Sequence, residues 1–348
     1  MYLSSHHSFI ESPISAGYFD PADTLAYNVA AEGIVLLKND GILPLKPALK
    51  IALIGPWGNE TVAMQGNYFG TPPFLISPQA GAVAAGYSVT VVQGATIAGT
   101  DTSGFAAAAA KLADVIVHAG RIDNTLSLIQ MLATVGKPLV VVQFGGGQID
   151  NTALKSNAAA NLILWAGYPG QSGGTALFDV IRGKVAPAGC LPLTQYLAAH
   201  TSQVQMADMN LHPNITSGNP GRTYKWYTGT AVYPFGSGLH YTAFTLAFAI
   251  TPATTYSIAT LVANVASAPF LDLGVFDTFS ISVHNTGAVA SDFVSLLFVT
   301  STAGPAPHPI KELISYSRVH GVAAGATTTT QLKVTLGSIS RTDANGSA

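Results

Sequence analysis

Short apolar runs alternate with stretches at helical spacing through the first half of the chain. Thr24 to Lys38 sets Leu25, Val29, Ala30, Ile34 and Leu37 on one helical face, which predicts a helix closed by the turn pair Asp40-Gly41. Lys50–Gly55, Asp114–His118, Lys137–Gln143 and Asn161–Trp165 are largely apolar and read as buried strands, and Tyr87–Val92 alternates with period two. Gly104–Ala113, Leu126–Val135 and Gly174–Gly183 supply helices between them. Strands without a polar face, alternating with helices, predict an α/β fold: a mostly parallel sheet flanked by helices, an α/β sandwich.

The pattern changes after about Thr194. Residues 195–245 are rich in Asn, Pro, Gly, Tyr and His and hold no sustained period, so an irregular linker is expected. From about Phe244 the signals are β only: Phe276–Asn285, Phe293–Thr300, Leu313–His320 and Thr328–Leu336, with turns between. Spaced short strands rich in Val, Thr and Phe predict an all-β sandwich over 246–348. The chain stops soon after its last strand, so that sandwich is expected to lack a final strand.

Composition narrows the function classes. A length of 348 residues with 48% hydrophobic and 9% charged residues gives ample core and rules out disorder as the main state. A net charge of −2 provides no basic field, so no nucleic-acid partner is expected. No apolar run is long enough to predict a membrane span, and Met1–Gly17 lacks the basic and apolar regions of a signal peptide. Three N-x-[ST] sequons, at Asn59, Asn214 and Asn345, favour secretion only weakly. One cysteine, Cys190, excludes a disulfide framework and a cysteine-built metal site, and no histidine stands in a ligand spacing, so no metal and no cofactor are expected.

Five stretches in order carry a resemblance: Glu32–Leu45 (EGIVLLKNDGILPL), Gln65–Gly70 (QGNYFG), Gly136–Asp150 (GKPLVVVQFGGGQID), Trp165–Pro192 (WAGYPGQSGGTALFDVIRGKVAPAGCLP) and Tyr233–Phe244 (YPFGSGLHYTAF). The chain resembles glycoside hydrolase family 3, in particular the fungal β-xylosidases, and Ser280–Asp343 resembles their fibronectin-III-like domain. The resemblance implies a residual N-terminal segment over 1–23, an α/β sandwich domain over 24–194, and an extracellular hydrolase of xylan or xylooligosaccharide. It also implies that an N-terminal barrel supplying the nucleophilic aspartate is missing. In those enzymes glutamates of the acid/base loop follow an I-D-N-T motif. Here Arg121-Ile122-Asp123-Asn124-Thr125 runs directly into Leu126-Ser127-Leu128, so the acidic loop is read as deleted.

Retaining glycosidases need two carboxyl groups about 5–5.5 Å apart, one attacking and one protonating the leaving oxygen. With neither partner in evidence, the chain is expected to be catalytically incomplete, and Asp123 is a weak catalytic candidate, since an aspartate ending a strand more often caps the next helix. Candidate sugar contacts are Trp57, Asn67, Tyr68, Asn124 and Phe144, near strand ends where aromatic faces and amides suit sugar rings. Packing against the lost barrel is the competing reading for the loop holding Trp57, Asn67 and Tyr68. Gly170-Gln171-Ser172-Gly173-Gly174 fits G-x-S-x-G, but Ala166–Pro169 separates it from the strand, so Ser172 reads as a helix entry, with His200, His212 and His240 as undistinguished bases. Tyr224, Trp226, Tyr227, Tyr233 and Tyr241 read as one cluster packing the linker. A non-catalytic carbohydrate- or partner-binding module is the alternative function. Loss of the barrel should expose an apolar face and drive self-association.

Overall fold

The computed structural model describes residues 21–96, 103–121, 125–266, 268–304 and 306–341. The first part runs α1 (Pro21–Gly33), β1 (Val35–Asn39), β2 (Lys50–Ile54), α2 (Pro78–Ala84), β3 (Ser88–Val92), α3 (Ser103–Leu112), β4 (Val115–Gly120), α4 (Leu126–Ala133), β5 (Leu139–Phe144), α5 (Thr152–Ser156), β6 (Ala160–Gly167) and α6 (Gly173–Ile181). Its six strands form one sheet in the order β1-β6-β5-β4-β2-β3, with β1 antiparallel to β6 and the other pairs parallel.

The sheet is apolar on both faces and is covered on both. Along β4, Val115, Val117 and Ala119 point to a layer with Ala30 and Ala31 of α1, Ala82 of α2 and Leu177, Phe178 and Ile181 of α6. Ile116 points the other way, to Ala106 and Ala110 of α3, Leu128, Ile129 and Leu132 of α4 and Leu154 of α5. Each strand residue is thereby buried whichever way it faces, as parallel βα units require.

Two local readings are corrected. The first helix does not reach Lys38: it ends at Gly33, and Val35–Asn39 is the strand β1. Ile34, Val35 and Leu36 are completely buried. A surface helix would leave one of them wet, whereas a strand between two helical layers buries all three, so tertiary packing overrides helix propensity. On α1, Leu25 and Val29 are each 63% exposed, so the predicted stripe points partly outward. The segment after Phe244 is not purely β, because α9 (Ile258–Val265) is a helix whose cap Ser257 accepts the Thr260 N–H at 3.4 Å. Ile258, Leu261, Val262 and Val265 carry its 3–4 spacing.

Two contacts hold the α1–α2–α6 layer. A Cβ on Gly174 would lie 2.0 Å from the Ser77 carbonyl oxygen, and one on Gly81 would lie 2.0 Å from the Gly174 oxygen, so α2 and α6 meet backbone to backbone. Buried Asp179 on α6 accepts from the Tyr27 hydroxyl at 2.6 Å, Arg182 at 2.6 Å and Lys184 at 2.9 Å. These hydrogen bonds and the two cations outweigh desolvation and hold its carboxyl below the usual range.

After α6 come α7 (His200–Gln203) and α8 (Thr223–Trp226), single turns within an otherwise irregular segment, then β7 (Phe244–Phe248), α9, β8 (Val275–Asn285), β9 (Ser291–Val299), β10 (Glu312–Val322), β11 (Thr327–Thr335) and the short α10 (Leu336–Ile339). A three-stranded sheet β11-β8-β7 faces the pair β10-β9. Between them lies a small core in which Ile281, Val283 and Leu332 meet Phe244, Phe279, Phe293, Leu297 and Val319. Buried Asn285 ties the strand ends: its amide donates to the Val289 and Val322 oxygens at 2.9 Å, and its oxygen accepts from Thr242 at 2.6 Å. The connecting segment joins the α/β unit where the Leu239 N–H meets the Leu36 oxygen at 2.8 Å. Nearby, Arg318 pairs with Glu32 at 3.3 Å and Asp292 at 3.2 Å. No described helix is long and apolar enough to cross a membrane.

Gly174→Ala should cost about 3 kcal/mol or prevent folding, read by urea denaturation, because neither backbone can retreat. Asp179→Asn should also cost about 3 kcal/mol, since two cations lose a buried partner. The Asp179 contribution is fully present above the ordinary carboxylate range and fades as pH falls through its lowered folded value, so the wild-type advantage over Asp179→Asn should shrink in acid.

Candidate functional site

The carboxyl ends of β4 and β5 open on a crevice of about 420 Å³. Strand ends of this kind form the ligand side of open α/β sheets. Arg121 follows β4, and the run Gly145–Asp150 follows β5. Tyr196, Leu197 and His200 close the far wall from the connecting segment.

Backbone and amide contacts fix this geometry. Asp150 accepts the Thr152 N–H with one carboxylate oxygen and the Ala198 N–H with the other, both at 2.8 Å, and the Thr152 side chain together with these N–H groups outweighs desolvation and holds its carboxyl below the ordinary range. Beneath it, Asn151 exchanges hydrogen bonds with Gln143 and donates to Gln195 at 2.7 Å. All three amides are completely buried, so the loop after β5 and the connecting segment are clamped together. Tyr196 stacks on His200 with centroids 4.1 Å apart, and Tyr227 meets the same pair edge-on.

The sequence candidates fall in different places. Trp57 and Phe144 do come together, stacked at 4.8 Å, but they are 4% and 1% exposed and belong to the core. Phe144 still reaches the crevice lining. Asn67 and Tyr68 are exposed on the loop after the 3₁₀ turn at Val62–Gln65 and touch neither ring. The aromatic that does approach Trp57 is Tyr168, at 6.5 Å. Asp123 and Asn124 lie outside the described residues, as does Asn345. Asn59 and Asn214 are exposed.

Ser172 is buried at the start of α6, beside Asp23, Tyr27 and Phe74, and among the described residues no histidine lines that hollow. His212 packs against Trp226, and His240 against Phe244 and Phe293. The five aromatics of the linker do not form one cluster. Tyr224 stacks on Phe235 and meets Phe298 of β9, Tyr241 donates to the Val180 oxygen at 2.8 Å, and Tyr227 belongs to the crevice wall. Burial pushes the Cys190 thiol up, away from thiolate chemistry. Glu32, Asp292 and His320 cluster closely enough to suggest a cation site, but Arg318 stands among them and pairs with both carboxylates, which makes the group an ion-pair joint.

The local pattern around Tyr196 and around the three buried amides carries no signal of the crevice. Tyr196 lies 52 residues past Phe144 in the chain, so only the fold brings them together.

The profile of the glycosyl hydrolase family 3 C-terminal domain matches residues 34–241. A probable exo-1,4-β-xylosidase of Aspergillus clavatus is 47% identical over 373 residues, covering 96% of this chain and 48% of the relative. The exo-1,4-β-xylosidase of Emericella nidulans is 45% identical over 371 residues with 46% of its length covered. The chain therefore spans about half the length of the curated relatives it matches. Among solved structures, a family 3 exo-β-xylosidase in complex with a xylobiose aziridine probe superposes with a TM-score of 0.88 at 46% identity, over 93% of this chain and 45% of that one. A β-D-glucoside glucohydrolase of Trichoderma reesei shares the fold, with a TM-score of 0.72 at 22% identity, over 94% of this chain and 52% of that one.

Asn151→Leu should cost about 3 kcal/mol in urea denaturation, because it strands two buried glutamine amides at once.

Proposed function

This chain belongs to the glycosyl hydrolase family 3 C-terminal domain family, and from that premise we propose that it is the C-terminal part of a β-xylosidase-like hydrolase of xylan or xylooligosaccharide, secreted, and without glycosidase activity by itself. Its parts on this reading are the α/β sandwich over 24–194, the linker over 195–245 and the fibronectin-III-like unit beyond.

One observation carries the absence of activity. Among the described residues lining the crevice, Asp150 is the one carboxylate, and both of its oxygens already accept backbone N–H groups. A carboxylate held ionised in this way cannot serve as the general acid, and a lone carboxylate cannot fill two roles about 5 Å or more apart. A second finding supports a deletion somewhere within the matched stretch. The matched stretch of the Aspergillus clavatus relative runs over 373 residues against 348 in the whole chain, so that relative carries residues within it that are absent here.

A hollow of about 520 Å³ beside α1 supports self-association as the second expectation. Leu25 and Val29 line it from α1, with Trp165, Tyr168 and Pro169 opposite, and the occupant on this reading is a second copy of the chain.

Incubation with an aryl β-xyloside should give no release above the blank. Turnover that Asp123→Asn abolishes would mean a working carboxylate site and end this reading, and turnover lost in Ser172→Ala would point to a serine hydrolase. Sedimentation should show a species larger than the monomer, reduced to the monomer by the double substitution Leu25→Ser and Val29→Ser.

A further inference from the structure

Between Gln205 and Arg222 the connecting segment closes on itself as an Ω-loop held by polar groups. The Arg222 guanidinium donates to the Gln205 oxygen at 3.3 Å and the Asp208 oxygen at 2.6 Å, and the Arg222 backbone N–H donates to the Leu211 oxygen at 2.8 Å. Asn219 donates to the Asp208 carboxylate at 2.9 Å and accepts the Gly221 N–H at 2.8 Å. Of residues 205–222, only Asn219 and Gly221 are buried. The loop's apolar side chains are left in water: Met206 is 95%, Met209 83%, Ile215 100% and Leu211 48% exposed. Four large apolar groups on one closed loop make a surface that calls for a cover.

One of the sequons sits at the tip of this loop. The Asn214 N–H donates to the Asn219 oxygen at 2.8 Å, and Ile215 to Gly218 make the turn between them, with Gly218 at φ +74°. Asn214, Ile215 and Thr216 are all exposed. The Asn214 Oδ1 accepts the Thr216 N–H at 2.9 Å, an Asx turn that folds Thr216 back toward the carboxamide. Nδ2, the atom that takes a sugar, makes no hydrogen bond among the described residues. The sequon at Asn59 is placed differently. Its Oδ1 accepts the Ser77 hydroxyl at 3.0 Å, and the Thr61 N–H donates at 2.9 Å to Glu60 rather than back to Asn59. Thr61 is half-buried. The two motifs are equivalent as sequence, and the fold presents the acceptor and its threonine together only at Asn214.

We propose that Asn214 is an N-glycan acceptor and that its glycan covers the apolar loop surface of Met206, Met209, Leu211 and Ile215. In the transfer, Nδ2 attacks the anomeric carbon of an oligosaccharide carried on a polyprenyl diphosphate. The bond from that carbon to the diphosphate oxygen breaks, the diphosphate leaves with the electron pair, and Nδ2 gives up one proton to the transferase. A glycan is bulky and solubilising, which is what an exposed apolar loop lacks. Its root lies next to Ile215 in the chain, and Asn219 ties that root to Asp208 between Met206 and Met209. The proposal rests on the secreted reading above, because only a chain on the secretory route meets the transferase.

The test uses the full chain, produced behind a secretion leader in a eukaryotic host that adds high-mannose glycans, trimmed with endoglycosidase H and mapped by peptide mass spectrometry. The peptide holding Asn214 is expected to carry one N-acetylglucosamine. Asn214→Gln and Thr216→Ala should each abolish it, Thr216→Ser should keep it, and Asn59→Gln should leave it unchanged. An unmodified Asn214 in the secreted chain overturns the proposal, whether or not Asn59 carries a sugar. The cover is read by retention on a phenyl column. Asn214→Gln should be retained longer than the untrimmed glycosylated chain, and adding Met206→Ser and Ile215→Ser to it should reverse the delay. Equal retention of the untrimmed chain and Asn214→Gln overturns the cover. Absence of the chain from the medium of its native host overturns the secreted reading and not the acceptor, because the leader supplies entry to the secretory route in this experiment.

Discussion

A parallel sheet whose strands carry no polar face has to be covered on both sides, and most of the architecture answers to that requirement. β2, β4, β5 and β6 are buried almost end to end, so helices must lie above and below them. On one side the cover approaches so closely that α2 and α6 meet through Gly81 and Gly174. On the other side small alanines of α3 let that helix lie near the sheet. β1 extends the sheet antiparallel and spends an apolar run that the local pattern had placed in a helix. With both faces closed, the carboxyl ends of the strands are where the backbone opens to ligands, and the crevice forms there.

Polar groups then decide what stays in register. The amides of Gln143, Asn151 and Gln195 are sealed from water and bonded to one another, so the loop after β5 and the connecting segment behave as one piece. Asp150 repeats the connection nearer the surface by bonding Ala198 N–H. The sandwich has a much smaller core, and buried Asn285, with four side-chain hydrogen bonds to Thr242, Gly287, Val289 and Val322, compensates by closing its strand ends. Arg318 between Glu32 and Asp292 then ties the sandwich to α1.

The same arrangement fixes which carboxylate the crevice holds among the described residues. Bond cleavage needs two carboxyl groups in different protonation states at a fixed separation. The crevice has Asp150, whose oxygens are already committed to the backbone.

The sequence by itself determined the alternation of strands and helices through the first half, the switch to β structure near Phe244, and the family, because apolar periodicity and ordered motifs are local properties. It also carried the Ser77-Pro78 start of α2 and the Ser257 cap of α9, signals that the shortness of these helices left in shadow. Only the tertiary structure decided that Val35–Asn39 is a strand, that Trp57 and Phe144 are core while Tyr168 reaches outward, and that Tyr196 and His200 face Gly145–Asp150. Those outcomes depend on which surfaces meet across long separations in the chain. Burial on both faces, close backbone approach and pairing of distant amides have no local pattern to announce them.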